Sequence, residues 1–488
     1  MTTHYLACDL GADSGRLMLG TLAGGRLTLE EAHRFTNAPI KSGGSMHWDW
    51  EGLWGELKKG LAKVAERRLP VSSVSCDSWG VDYVLLDGQG RVMPPVHHYR
   101  DPRCQRGVER VRARVAWETV FAETGIQFMP LNTIYQLAAE EPGRLASAHR
   151  LLGIGDAFNY FLSGAAKTEA SLASTTQLYN PLERTWSRRL LEALEIPAGL
   201  WTEIVPSGTR LGFMDEGLSR ETGLPRIEVI ASCSHDTGAA VAAVPAGGGS
   251  WAYLSSGTWS LIGVELPAPI INDQCRDLNL TNEIGYGGTV RLLKNIIGLW
   301  LVQECRRAWS KAGREYSFIE LEELARSAPP FRSLIDPADA RFLSPDDMPE
   351  KIAAQCRERG QPAPSDPGAT IRAVYESLAL FYRHTLRRIE QLIGRRIERM
   401  HIVGGGSKDG TLNQFTANAL GIPVVAGPAE ATAAGNLLIQ AIALGHLPSL
   451  AAAREVVRQS LTGRTYLPEE AEAWEAAYRR FERLVAPV

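Results

Sequence analysis

No CxxC spacing occurs among the seven cysteines of this 488-residue chain, Cys8, Cys76, Cys104, Cys233, Cys275, Cys305 and Cys356. An odd number of scattered thiols cannot all pair, which fits reduced structural thiols, no zinc site and a cytoplasmic location. No uninterrupted apolar stretch approaches the ~18 residues of a membrane span, and Asp9 interrupts the N-terminus before a signal-peptide apolar region could form. The chain is therefore expected to be neither exported nor membrane-spanning. No long basic run concentrates positive charge and the formal net charge is -3, so neither nucleic acid nor an anionic membrane is an expected partner. Two nucleotide signatures are missing as well: there is no GxxxxGK[ST], and no GxGxxG between a strand and a helix. A P-loop and a dinucleotide fold are thereby excluded.

What is present is a chain with 44% hydrophobic residues, long enough to bury a large core in two domains. "HYLACDLGADSGRLMLGTLAGGRLTLEEAHRF" alternates strand-like runs with tight turns at Gly11 to Gly15 and at Gly24-Gly25, and reads as three antiparallel strands. A helix over Trp50 to Arg68, strands in "VSSVSCDS" and "GVDYVLLD", and helical patterns at Cys104 to Ala122 and Asn132 to Glu140 continue a mixed α/β order. After "PAGGGS" a strand, small-residue turn and strand begin again in "WAYLSSGTWSLIGVEL", which sets the domain split at 245/246, giving 1–245 and 246–488. The stretch Pro329 to Pro367 reads as loops and short turns. A long core helix then starts near Pro367 and ends at Gly394, followed by a strand in "RMHIVGGGS", a helix in "DGTLNQFTANAL", a strand at "IPVVA" and an alanine-rich helix from near Glu430. The C-terminal "EEAEAWEAAYRRFERLV" is an amphipathic helix that packs across the hinge or against a partner, with packing inside the molecule as the default reading.

Four small-residue turns each follow an apolar strand: "DLGADSGR", "SHDTG", "SSGTWS" and "VGGGS". Hairpins need glycine for backbone reasons alone, so any one of them is weak. The set of four suits a phosphate cage, because glycine lets backbone N–H groups approach a polyphosphate and Ser14 and Thr258 add hydroxyl donors. Within "SHDTG", Asp236 stands between a β-branched run and a helix-forming "TGAAVAAV". An aspartate there commonly caps the helix; it can also serve as a general base.

"DLGADSGR", "DSWGVDYVLLD", "YRDPR", "SHDTG", "YLSSGTWSLIG", "LLKNIIGLW" and "IVGGGSKDGTLNQFTANALGIPVVAGPAEATAAGN" together resemble the FGGY family of carbohydrate kinases, in order over nearly the whole chain. The resemblance implies two actin-like, ribonuclease H-like domains of the ASKHA superfamily, with ATP and a small ketose in an interdomain cleft. "SWGVDY" and "LKNIIGLW" tilt it toward members that phosphorylate L-rhamnulose at its 1-hydroxyl, over those acting on xylulose, glycerol or fuculose. By the same resemblance Asp236 is the catalytic base. Trp79, Gly80, Asp82, His235, Asp236, Thr237 and Asn295 surround the sugar, with core packing as the other reading of Trp79. Ala12, Asp13, Ser14, Gly15 and Arg16 hold phosphates with Thr258, although Asp13 would repel them unless it points away or is offset by Arg16 or Mg²⁺. Gly404, Gly405 and Gly406 line the adenine side, and Gln303, on one helix with Asn295, reaches the nucleotide. Asp9 is the Mg²⁺ partner, directly or through water. Arg100 and Arg103, near another aspartate, read as a structural ion-pair cluster in preference to a sugar contact. The helix N-terminus should lower the pKa of Asp236. The assembly implied is a monomer or small homo-oligomer.

Overall fold

The computed structural model describes residues 2–461 and 463–485. The expected opening hairpins are present: Thr2–Leu10, Ser14–Ala23 and Arg26–Thr36 pair antiparallel. Gly24 and Gly25 turn the second hairpin with φ of 56° and 75°, values that side chains with a Cβ resist. Val71–Ser78 joins Thr2–Leu10 in parallel, Glu228–Ala231 joins Val71–Ser78 in parallel, and Thr209–Phe213 closes the other edge, giving one six-stranded sheet.

Alternation along the strands decides what each face of this sheet meets. Leu6, Cys8, Leu10, Val74 and Cys76 join one apolar cluster with Leu57 and Leu61 of the helix Trp50–Ala65 and Phe158 of the helix Ile154–Ser163. The intervening Ser73, Ser75 and Asp77 meet the helix Ala431–Ala443, whose Asn436 and Gln440 complete a buried polar network. Gln440 Nε2 donates to Leu6 O at 2.8 Å and to Asn436 Oδ1 at 2.7 Å, and Ser73 Oγ donates to Gln440 Oε1 at 2.6 Å.

That helix explains why the compact units are not contiguous in sequence. The first takes in the chain up to Pro245 together with Glu265–Leu292 and Ala431–Leu461; the second comprises Ala246–Val264, Leu293–Glu430 and the described residues after Leu461. In the second unit Trp251–Ser256 lies between antiparallel Trp259–Leu266 and parallel Arg399–Val403, beyond which come Val424–Ala426 and Arg464–Tyr466. The long helix runs Pro367–Ile393, with Asp366 as its cap, Pro367 in its first turn and Gly394 at φ 67° after its end. The C-terminal helix Ala471–Val485 stays within this unit, where Trp474 packs against Phe331 and Phe415.

Three expectations are corrected. The pattern Cys104 to Ala122 divides into Arg103–Arg112 and Trp117–Thr124, because Ala116 adopts an extended backbone between them. The proline-rich stretch holds a helix, Met348–Glu358, capped by Asp347; its proline sits in the first turn, where no intrahelical donor is lost. Asn295 lies on the strand Val290–Ile297, so it does not share the helix Trp300–Lys311 with Gln303.

The helices Asp236–Ala242 and Ala431–Ala443 meet closely at Gly435, where an added Cβ would lie 1.8 Å from Ala239 O. Gly435→Ala is expected to cost about 1–3 kcal/mol by urea unfolding.

Candidate active site

The parallel strands of the first unit end side by side, and each end delivers an acid. Asp9 and Asp77 are register partners, and the strand Glu228–Ala231 leads into Asp236. Backbone pairing fixes the third position too: Ser78 N donates to Ser234 O at 2.9 Å. The C-terminal ends of parallel strands are where open α/β sheets bind ligands, since loops there can vary without disturbing the sheet.

Burial and mutual repulsion govern these acids. Asp77 is fully buried, and burial first, then Asp9 and Asp236, push its carboxyl well above the usual carboxylate range, against a hydrogen bond from Asn436. Its Oδ1 has no hydrogen-bond partner. Asp236 is also raised, first by burial, with Asp9 raising it further and His235 and Thr237 opposing. The expected lowering by the helix N-terminus is therefore overturned: burial outweighs it. Asp236 is the first residue of its helix, it follows the capping position, and 28% of its side chain remains accessible. Asp9 is ion-paired with Arg16, its neighbour across the hairpin. In the same turn Ser14 and Gly15 begin the second strand, Ala12 is half-buried, and Asp13 is exposed.

Two buried groups hold the "SHDTG" turn. Glu169 accepts from Ser171 N at 3.0 Å, Ser207 Oγ at 2.6 Å and Ser234 N at 2.9 Å, and also from Ser171 Oγ. Ser171 Oγ in turn accepts from His235 N at 3.1 Å. The His235 ring lies 3.4 Å from Asp236, 3.3 Å from Glu283 and 3.1 Å from Arg291 Nη2, and Arg291 is itself completely buried. Thr237 donates through its hydroxyl to Asp236 Oδ1 at 3.1 Å. Glu169, Glu283, Arg291 and Asn436 carry no sequence signal that separates them from other polar residues; Asp77 was also missed, although an acid inside an otherwise apolar and small-residue strand is a signal that could have found it.

Asp82 is 2% exposed, and its carboxylate accepts from Trp48 Nε1 at 2.6 Å, Trp79 Nε1 at 3.0 Å, Tyr99 N at 3.2 Å and Gln136 Nε2 at 2.8 Å. Burial still lifts its pKa to about 6. With both oxygens engaged and the Trp79 ring tilted against Trp48 at a centroid distance of 4.3 Å, Asp82 and Trp79 form an internal clasp. Gly80 beside them is only partly covered, and a Cβ on it would meet Thr175 at 3.0 Å. Arg103 pairs with Glu140 at 3.0 Å, the structural cluster read from the sequence, while Arg100 lies over the Tyr99 ring.

In the second unit three turns converge. Thr258 O accepts from Gly298 N and Trp300 N, both at 3.1 Å, and Gln303 Nε2 approaches Thr258 Oγ1 at 3.4 Å. Gly404, with φ 84°, and Gly406 press on Ser256: an added Cβ would lie 2.9 Å from Ser256 O or 2.0 Å from its Oγ, while at Gly405 it would meet nothing within 4 Å. Ser256 Oγ and Gln303 Oε1 are buried without hydrogen-bond partners. Backbone brought this close, with spare polar atoms, is a cradle suited to a phosphorylated ligand. Asn295 belongs to this unit, Asp236 and His235 to the first.

The chain matches the models of the FGGY family of carbohydrate kinases, N-terminal domain over residues 4–243 and C-terminal domain over residues 252–444. It belongs to that family. A protein of Bacteroides thetaiotaomicron named rhamnulokinase is 44% identical over 488 residues, 99% of this chain and 100% of the relative. One of Bacillus subtilis with the same name is 39% identical over 466 residues, covering 96% of each chain. Among solved structures, a ligand-bound xylulose kinase of Lactobacillus acidophilus superposes with a TM-score of 0.81 at 15% identity, over 99% of this chain and 97% of that one. A Plasmodium falciparum glycerol kinase with ADP gives 0.79 at 13% identity, over 100% and 99%. These likenesses show the two-domain α/β fold of this kinase family.

The Asp82 clasp makes a direct prediction. Asp82→Asn turns an NH₂ toward donors and should lose about 1.5–3 kcal/mol in urea unfolding; unchanged stability would contradict the clasp.

Proposed function

We propose that this protein transfers the γ-phosphoryl group of ATP to the 1-hydroxyl of L-rhamnulose, forming L-rhamnulose 1-phosphate and ADP in L-rhamnose breakdown. The observation that carries the substrate is the 39–44% identity, over at least 95% of this chain, to relatives named rhamnulokinase. The chemistry rests on Asp236, partly accessible and raised in pKa by burial, at the strand ends of the first unit.

In this reading Asp236 accepts the proton of the 1-hydroxyl as its oxygen attacks the γ-phosphorus. A loose transition state asks little of the base beyond position, and the Glu169 and Ser171 hydrogen bonds supply that position. His235, steadied by Glu283 and Arg291, and Thr237 and Gly80 offer the sugar polar groups and close approach. Ser14, Gly15 and Arg16 with Thr258, Gln303 and Gly404 to Gly406 bind ATP. The carboxylates of the first unit fit a divalent cation: burial and neighbouring charge raise the proton affinity of Asp77 and Asp236, and Asp77 Oδ1 is buried without a partner. Asp9 would hold Mg²⁺, directly or through water, and the ion when bound offsets phosphate charge. A cytoplasmic location is supported by the seven buried free thiols. Among the described residues no helix is long and apolar enough to cross a membrane.

The test is ATP-dependent ADP release with L-rhamnulose, L-fuculose, D- and L-xylulose, D-ribulose and glycerol, with the phosphorylated carbon read by NMR. The reading expects preference for L-rhamnulose and phosphate on carbon 1; preference for another member would replace the substrate, and sugar-independent release would overturn the kinase reading.

A further inference from the structure

Away from the carboxylate row, a short sheet of the first unit carries a second set of groups to which the reaction above assigns no role. Ser45–Trp48 pairs antiparallel with Val96–His97, and His47 and His97 are direct cross-strand partners with ring centroids 5.2 Å apart. Asp101, buried four residues further on, turns its Oδ2 to within 3.6 Å of His97 Nδ1. One ligand atom from each of His47, His97 and Asp101 lies within 4.8 Å of the others.

Hydrogen bonding accounts for only part of this arrangement: Ser45 Oγ lies 2.9 Å from His47 Nε2 and donates to Asp101, but nothing satisfies His97 Nδ1. A separation of 3.6 Å is too long for a hydrogen bond, and His97 Nδ1 is buried with no hydrogen-bond partner. Two metal bonds of about 2.0–2.2 Å meeting at a tetrahedral angle hold their ligand atoms about 3.4 Å apart, close to the 3.6 Å between His97 Nδ1 and Asp101 Oδ2. Ser45 Oγ, Met46 N and Arg103 N donate to the Asp101 carboxylate and fix its orientation, the kind of support that ligating carboxylates receive.

We propose that His47, His97 and Asp101 form a binding site for one zinc-class divalent ion, separate from the cation of the kinase reaction. Two imidazoles and one carboxylate select a borderline transition ion over Mg²⁺, which prefers oxygen ligands. The ion joins the Ile40–Trp48 hairpin to the segment that carries His98 and Tyr99 against Trp48. Three protein ligands leave a coordination position for water. The cysteines predicted no zinc site, and this one is built without them.

The test is calorimetric titration of the chelator-treated full-length protein with Zn²⁺ alone, in parallel with His47→Ala and His97→Ala. One site of micromolar or tighter affinity is expected, weakened at least about tenfold in each variant. With all seven thiols buried, they offer little competition for the ion. Zn²⁺ should also raise the Tm of the parent protein, which keeps the proposal testable if a variant misfolds. Absence of Zn²⁺ binding by the parent overturns the site. So does uptake that survives both histidine substitutions yet is lost in Asp236→Asn, which would move the ion to the carboxylate row.

Discussion

Acids crowded together in a buried place repel, and the architecture of the first unit follows from how that repulsion is contained. Asp9, Asp77 and Asp236 stand at the ends of neighbouring parallel strands, where burial and mutual charge raise the proton affinity of Asp77 and Asp236. Arg16 answers Asp9, Asn436 answers Asp77, and His235 and Thr237 answer Asp236. Each answering group is fixed by another element: Arg16 by the first hairpin, Asn436 by Gln440 and the helix Ala431–Ala443, His235 by Glu283 and Arg291. A row of carboxylates would otherwise be a poor way to end three buried strands. It lies at the C-terminal end of parallel strands, the end at which open α/β sheets bind ligands.

The polar face of Val71–Ser78 shows how this constraint reaches through the fold. Its even-numbered residues Val74 and Cys76 belong to the apolar cluster, while Ser73, Ser75 and Asp77 face a helix that arrives from nearly the end of the chain. That helix can approach because Gly435 removes a Cβ from the contact with Ala239. Packing and charge containment thus use the same element, and the early strands depend on residues some 360 positions later (|i−j| = 361 for Asn436 and Ser75).

Much of this was legible in the sequence where the signal is local. Hairpin glycines, strand alternation and the cap, proline and glycine of the Pro367–Ile393 helix gave their elements directly. The four turns and Asp236 stood out because small residues and an acid at strand ends have few uses. What remained hidden was long-range. The return of Ala431–Leu461 to the first unit leaves no mark in an alanine-rich helix. The clasp around Asp82 was not legible because the four donors that occupy it come from Trp48, Trp79, Tyr99 and Gln136, three of them well separated in sequence. The rise in the Asp236 pKa depends on burial, which the order of residues around a helix start does not reveal. Membership of the FGGY family accounts for the fold, while the particular groups that steady Asp236 are read only from three dimensions.

The most direct test of the account replaces the accessible member of the carboxylate row. Asp236→Asn should retain ATP affinity, measured by equilibrium binding, and lose turnover of L-rhamnulose by about 10²–10⁴-fold, because the side chain keeps its shape and its hydrogen bond to Thr237 but can no longer take the proton. A variant that turns over at the parent rate would contradict the assignment of Asp236 as the base.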